Sequence, residues 1–416
     1  MSVIQKAQLN IHYILTLVFA FLLPIYPNFS SLTSAFLLLN WLIGLFFGIQ
    51  NFREINKRTF LLSAGFFGIY LLGLSWSHNV ASGLRELETK LTFLLFPLIF
   101  LTVQLSADKI RDVFRTFIRG CAFAIVFLLF LSLWQLFETR YRIAHGEVLD
   151  DFGINFFMKD RLSRFVHPSY LAMYFLFAVW LMYKERIFIT AKRWGRIAVY
   201  TLLVTGILLT VSKAGVLGLT LIGSLIMYEL MVVRKKWKLG VGIIAIVLIM
   251  FATLFVSVPQ FSERFLAAIS TVTHKGNSNE PKESTASRIQ VWKVSAELIA
   301  KNPLHGTGTG SAKDELCKLY EKYGMQAPLE IRMNSHNQYL ETTVTLGVFG
   351  LLWLLAMLFL PMIDSFRRGN SLYWGFILII ILNIFVESMF EAQSGVLFFT
   401  FFNVLSSVYF SKKEKL

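Results

Sequence analysis

The chain has 416 residues, of which 56% are hydrophobic, 15% aromatic and only 16% charged, with a formal net charge of +15. Charged residues alone make up about a quarter of a typical soluble domain, so this much apolar surface has no place inside a water-soluble globule and lipid must be its solvent. The lysine and arginine excess falls between the apolar runs, where it is a topology signal and not a surface for nucleic acid.

Hydrophobic runs long enough to cross a bilayer, roughly 17 to 25 residues each, recur along the chain, about twelve in all. They start near His12, Leu32, Thr59, Glu88, Phe114, Pro168, Trp194, Lys213, Leu239, Asn337, Leu372 and Gln393. At membrane depth every backbone polar group needs a partner within its own segment, so the expected fold is an all-α integral membrane protein of about twelve transmembrane helices. A single Lys6 precedes the first run and no small-residue cleavage site follows it, which reads as an uncleaved span. The segments "NFREINKRTF", "SADKIRDVFR", "KERIFITAKRWGR", "RKKWK", "SFRRGN" and "SKKEKL" all fall on one side in this alternation, so both termini are predicted cytoplasmic. The organisation expected is transmembrane helices 1–9 over residues 1–258, with an outer loop near 137–167, then a large outer loop over 259–336, then helices 10–12 over 337–416.

The large outer loop has internal order. "SRIQVWKVSAELIAKNP" places Ile289, Trp292, Ala296 and Ile299 at helical spacing, and Pro303 closes it. "SAKDELCKLYEKYG" repeats the pattern with Leu316, Leu319, Tyr320 and Tyr323 before Gly324 as a C-terminal cap. Two amphipathic helices over the membrane mouth are therefore expected, preceded by a polar, turn-rich stretch between Thr273 and Thr285. "HGTGTGS" at 305–311 superficially suggests a phosphate-cradling loop, but no strand precedes it and a tight helix-to-helix connection fits better. Cys121 falls in a predicted span and Cys317 in an outer loop, so they do not suggest a disulfide, and the histidines show no metal-ligand spacing.

Three cationic or titratable residues stand at predicted helix starts. Ser287 and Gln290 bracket Arg288 in a capping-box pattern, Ser335 and Gln338 bracket His336, and Ser212 precedes Lys213. The positive end of a helix attracts anions, phosphate above all, and keeps a neighbouring imidazole neutral so that it can accept a proton. Potential anion holders beside a potential base suit transfer from a phosphate-activated donor to a hydroxyl. The plainer readings are a solvated Arg288 or one paired with Glu283, a snorkelling Lys213, and Arg161, Arg164 and His167 as headgroup anchors ahead of a helix that Pro168 begins. Glu387 and Glu391 lie near the end of an apolar span, where carboxylates need partners, and are expected to hold the arginines.

"SRIQVWKVSAELIAKNPLHGTGTGS", followed by "NSHNQYLETTVTLGVFGL", resembles the signature region of the O-antigen ligase and O-antigen polymerase superfamily, and "ESMFEAQSGVLFFTFFNVL" resembles its ending. The resemblance covers residues 200 to 410, while the first half agrees in hydropathy and in "HPSYLAMYF" alone. It implies a metal-independent membrane glycosyltransferase without cofactor, in the inner membrane, its active site facing the periplasm. The donor would be an undecaprenyl-diphosphate-linked glycan and the acceptor lipid A-core or another glycan. By the same resemblance His336 activates the acceptor hydroxyl and Arg288 acts at the diphosphate, with Lys213, Arg161 and Arg164 as further diphosphate ligands and Asn337, Glu387 and His167 in support. Where the family carries a second arginine after a serine, this chain has Lys213 in "TVSKAG", which keeps the charge and loses the bidentate fork. Glycan polymerisation, transfer to a protein hydroxyl, and a flippase or transporter of lipid-linked saccharide remain as alternatives.

Overall fold

A computed structural model describes residues 2–52, 55–103, 105–150, 152–257 and 285–413. The stretch expected to be turn-rich between Thr273 and Thr285, with Glu283, lies outside the described residues save Thr285 itself. Among the described residues there is no strand. The helices are α1 (Val3–Leu22), α2 (Pro27–Phe46), α3 (Lys57–Gly73), α4 (Val80–Lys90), α5 (Thr92–Thr102), α6 (Ala107–Ala144), α7 (Lys159–Leu162), α8 (Pro168–Lys184), α9 (Arg193–Leu209), α10 (Lys213–Tyr228) and α11 (Trp237–Ser257). They are followed by α12 (Thr285–Lys301), α13 (Ala312–Lys322), α14 (Gln326–Glu330), α15 (Gln338–Arg367), α16 (Ser371–Val386) and α17 (Gln393–Lys413).

Among the described residues six helical stretches are long and apolar enough to cross a membrane: Pro27–Phe46, Lys57–Trp76, Ala107–Ala144, Lys213–Val233, Gln338–Arg367 and Gln393–Ser411. Helix α6 continues to Ala144, into the segment expected as loop from residue 137. Residues 1–19, 28–113 and 274–416 form one compact unit, and residues 20–27 and 114–273 form a second.

In the first unit the core is aromatic. Phe19, Phe96, Phe100 and Phe401 meet edge to face or tilted, with ring centroids 4.6–6.1 Å apart, a geometry that adds attraction beyond area burial. Helix α17 supplies much of this core: 83% of its apolar window is buried by protein, against 33% for Gln338–Arg367. Apolarity in α17 therefore serves packing, whereas much of α15 is left for lipid. Proline at 97 inside α5 removes the N–H that would have bonded the Phe93 carbonyl. The Ser63 hydroxyl of α3 donates to that oxygen instead at 2.9 Å, as an apolar setting requires.

Helix α15 is itself broken. Gly347 has φ 65° and ψ −160°, so two helical segments meet there at a kink. Carbonyls freed by the break are taken by "HGTGTGS": Thr307 N–H donates to Val344 O at 2.8 Å and Gly308 N–H to Thr345 O at 2.9 Å. On the other side Val348 N–H donates to Pro303 O at 2.8 Å. The approach is so close that a Cβ on Gly347 would lie 2.2 Å from Leu304 O. The glycine run is thus a connection, as its context implied, and its particular task is to plug a helix break.

Helices α12, α13 and α14 form a small cluster on the first segment of α15, with Val291, Val294, Leu298, Leu316, Tyr320, Met333 and Val344 buried together. The buried stripe of α12 is shifted from the one expected. Val291, Val294 and Leu298 face inward and Ala296 is exposed, while Ile299 packs partly buried against the same cluster. In α13 Leu316, Leu319 and Tyr320 are buried as expected, Tyr323 is half exposed, and Gly324 follows at φ 64°.

The second unit is organised around α8, in which every residue from Pro168 to Met182 is buried. Gly215 of α10 packs so tightly on α8 that an added Cβ would come within 2.8 Å of the Ala172 methyl. Small residues at helix contacts let backbones approach where the hydrophobic effect cannot drive packing. Both cysteines are free and buried.

Candidate active site

Three helix ends of the first unit converge on one carboxylate. Glu387 is the residue at which α16 ends, with extended backbone angles and its N–H on Asn383 O. Its Oε1 accepts from an Arg288 terminal nitrogen at 2.9 Å, and its Oε2 lies 3.1 Å from His336 Nδ1. Arg288 also donates to Val386 O at 2.8 Å, a carbonyl left over by the last turn of α16. The three side chains are largely buried, with 7% of Glu387, 13% of Arg288 and 16% of His336 exposed. In the neutral ring, donation from Nδ1 to the Glu387 carboxylate leaves Nε2 with its lone pair, the tautomer that can accept a proton.

Local chemistry explains how His336 reaches this position. Asn337 is the N-cap of α15 and its side chain accepts from Leu340 N–H at 3.1 Å. His336 therefore precedes the cap, with φ 43°, a left-handed conformation that histidine and asparagine adopt more readily than most residues. This corrects the capping box expected from Ser335 and Gln338. The Ser335 hydroxyl is occupied by Ser295 Oγ at 3.1 Å, its N–H by Glu341 Oε2 at 2.8 Å and its carbonyl by Trp292 Nε1 at 2.9 Å. Arg288 likewise sits within the first turn of α12 and not at its first residue, since the helix already includes Thr285.

Beneath the carboxylate the turn 388–391 is tied to α15 and to α4. Asn337 N–H donates to Ser388 Oγ at 3.1 Å, and the Gln338 side chain accepts from Phe390 N–H at 2.7 Å while donating to Glu391 at 3.3 Å. Glu391 takes Lys90, at 2.9 Å and 3.0 Å, and among the described residues no arginine. Lys90 is fully buried, also donates to Glu86 at 3.1 Å, and lies 4.4 Å from the Tyr70 ring centroid. Glu86 in turn accepts from Gly310 N–H at 2.9 Å. A chain of polar contacts thus runs from the glycine loop through Glu86, Lys90 and Glu391 to the turn that carries Glu387. The motif reading missed Glu86, Lys90 and Glu341, and gave Gln338 only a capping role. A lysine with two glutamates beside an apolar run was the available signal, since such charges persist only when paired.

The other candidates belong to the second unit. Ser212 caps α10, accepting from Gly215 N–H at 3.2 Å, so Lys213 is the first residue of that helix, as its sequence implied, and is exposed. The Ser212 hydroxyl donates to Ser169 Oγ at 3.1 Å, which sets the start of α10 beside the start of α8. His167 is the N-cap of α8 with Pro168 following, and its Nδ1 accepts from Ser169 N–H at 3.4 Å. Arg161 lies over the Phe152 ring and Arg164 donates to Arg161 O at 2.9 Å, both exposed. Arg164 also donates to the Gln135 side-chain oxygen.

A multi-pass, all-helical membrane protein with a buried histidine–carboxylate–arginine constellation at the ends of its helices is what fold and site define together. Residues 197–355 match the O-antigen ligase family. This similarity supports a ligase- or polymerase-like membrane glycosyltransferase. An uncharacterized protein of Haemophilus influenzae is 23% identical over 329 residues, covering 77% of this chain and 75% of that protein. Lys213, Arg288 and His336 fall inside the matched region and Glu387 outside it.

Proposed function

We propose that this protein is an O-antigen ligase-like glycosyltransferase that moves a glycan from an undecaprenyl-diphosphate donor to a lipid A-core hydroxyl. The reaction takes place without a metal ion, on the periplasmic face of the inner membrane, in a chain of about twelve spans with both termini cytoplasmic. The observation that carries this reading is the bridge of Glu387 between His336 and Arg288. His336 Nε2 takes the proton of the acceptor hydroxyl as its oxygen attacks the anomeric carbon. The bond from that carbon to the diphosphate oxygen breaks, and the diphosphate leaves with the electron pair. Glu387 orients the ring and stabilises the imidazolium that forms, while the Arg288 donors not engaged by Val386 and Glu387 face the departing diphosphate.

A well-placed general base contributes about 10² to 10⁴-fold, and a preorganised charge-stabilising donor about 2.7–4 kcal/mol. In transfer from undecaprenyl-diphosphate-linked glycan to lipid A-core by the purified protein, His336→Ala and Arg288→Ala each reduce the rate by such factors and leave a folded protein. Full activity in either variant removes that residue from the mechanism. Longer lipid-linked chains with no conjugate identify a polymerase using the same groups. A transporter draws little support from the interrupted helix α15, because loop N–H groups already fill its break.

A further inference from the structure

The peptide group between Ser335 and His336 is held on both of its edges. Its carbonyl, that of Ser335, accepts from the Trp292 indole Nε1 at 2.9 Å, and its N–H, that of His336, donates to Asn334 Oδ1 at 3.0 Å. A peptide group is a rigid plane, so pinning both edges fixes the direction in which the His336 Cα leaves it. That residue has φ 43°, and a left-handed backbone at a residue other than glycine persists where its surroundings over-determine it. We propose that Trp292 is a positioning residue, which sets the His336 ring against Glu387 and that pair against Arg288.

Trp292 differs from the other partners of this turn in where it stands. Asn334 is two residues away and Glu341, which accepts from Ser335 N–H at 2.8 Å, belongs to α15 itself. Trp292 belongs to α12, four residues after Arg288 and so one turn further along the same face. Ser295, next on that face, donates to Ser335 Oγ at 3.1 Å. The same indole meets the Phe385 ring with centroids 5.9 Å apart and planes at 67°, the edge-to-face geometry that aromatic pairs favour. Phe385 lies two residues before Glu387, and Arg288 donates to the carbonyl of Val386 between them at 2.8 Å.

One side chain therefore touches the carriers of all three groups: the helix of Arg288, the residue before His336 and the last turn of the helix that ends at Glu387. The indole N–H can only donate, and tryptophan has two side-chain torsions to fix, so a packed ring holds its bond in one direction. Loss of that bond frees the carbonyl edge of the peptide plane. The 3.1 Å contact of His336 Nδ1 with Glu387, which selects the tautomer, loosens with it.

The effect on rate rests on the reaction proposed above, whereas the effect on the ring does not, so the test reads both. Full-length protein with ¹⁵N-labelled histidine is studied in detergent at about pH 8, where an ordinary imidazole is neutral, and the His336 signals are those lost in His336→Ala. Wild type is expected to show His336 protonated at Nδ1, and Trp292→Phe a mixture of both tautomers. In transfer from undecaprenyl-diphosphate-linked glycan to lipid A-core, Trp292→Phe is expected to lower kcat roughly 10- to 100-fold with the donor KM within about twofold, as a misplaced group does. Benzothienylalanine at position 292 keeps the ring and lacks the N–H; it should behave in the same way and decides the matter if Trp292→Phe does not fold. Trp353→Phe removes a similar indole bond, to Leu62 O at 2.9 Å on the far side of the Gly347 break, and should leave both readouts unchanged. A folded Trp292 variant whose His336 keeps the wild-type tautomer overturns the proposal, whatever its rate, and so does a wild-type ring protonated at Nε2. Absence of transfer by wild type overturns the proposed reaction instead, and the tautomer still decides the role of Trp292.

Discussion

Two regions of the molecule start from the same sequence signal, a cation or imidazole at the beginning of a helix, and end differently. At Ser212–Lys213 and His167–Pro168 the caps are local, the two starts are joined by hydroxyls, and Lys213, Arg161, Arg164 and His167 stay exposed. At Arg288 and His336 a carboxylate 99 and 51 residues away in sequence closes the gap and draws all three groups into a largely buried site. A helix start alone offers a dipole of about half a charge. It is the distant partner that fixes an orientation and a tautomer, and so turns a solvated end into a place where a proton can be moved.

If that contrast is right, perturbations of the buried network weigh more than perturbations of the exposed helix starts. The largest effect is expected for Lys90→Met, which strands Glu86 and Glu391 without their shared counter-charge. Breaking a buried pair in this way destabilises by about 3–5 kcal/mol, and thermal unfolding in detergent should show it, with Lys90→Met/Glu391→Gln recovering part of the loss. Unaltered unfolding in Lys90→Met would mean that the network does not hold the turn.

Gly347→Ala comes next. It forces a side chain into a left-handed residue and against Leu304 O, so a loss of roughly 2–4 kcal/mol is expected from strain and overlap together. Gly68, with nothing within 4 Å of its would-be Cβ, is the internal control: Gly68→Ala should be neutral or stabilising by up to about 1 kcal/mol. Equal behaviour of the two variants would contradict the plugged break. The smallest effect belongs to Lys213→Ala, where an exposed charge at a helix end is worth about 0.3–1 kcal/mol. Its loss of transfer should stay within about tenfold, and a loss as deep as that of Arg288→Ala would erase the distinction between the two regions.

How much of this was legible beforehand depends on how far each contact reaches along the chain. Pro168 at the first residue of α8 and Ser212 as the cap of α10 follow from neighbouring residues, and both stand where their local chemistry places them. Ser335 misleads because its hydroxyl is taken by Ser295, 40 residues earlier, leaving Asn337 to cap α15 and His336 to turn left-handed before it. Glu391 was legible as a carboxylate in need of a partner, but Lys90 is 301 residues away and no periodicity connects them. For α12 the period was right and the expected face lies at the edge of the buried one: Val291, Val294 and Leu298 are buried, Ile289, Trp292 and Ile299 are partly buried, and of the expected stripe Ala296 is exposed.

The most direct test of the account is Glu387→Gln, which keeps size and hydrogen bonding while removing the charge shared by His336 and Arg288. Transfer from undecaprenyl-diphosphate-linked glycan to lipid A-core should fall by at least about 10²-fold, since replacing an orienting acid by its amide in a serine-protease triad lowers turnover about 10⁴-fold by stabilising the wrong tautomer. Thermal unfolding of the same sample shows whether the protein remains folded. A folded Glu387→Gln protein that transfers at the wild-type rate would contradict the claim that this carboxylate makes the site.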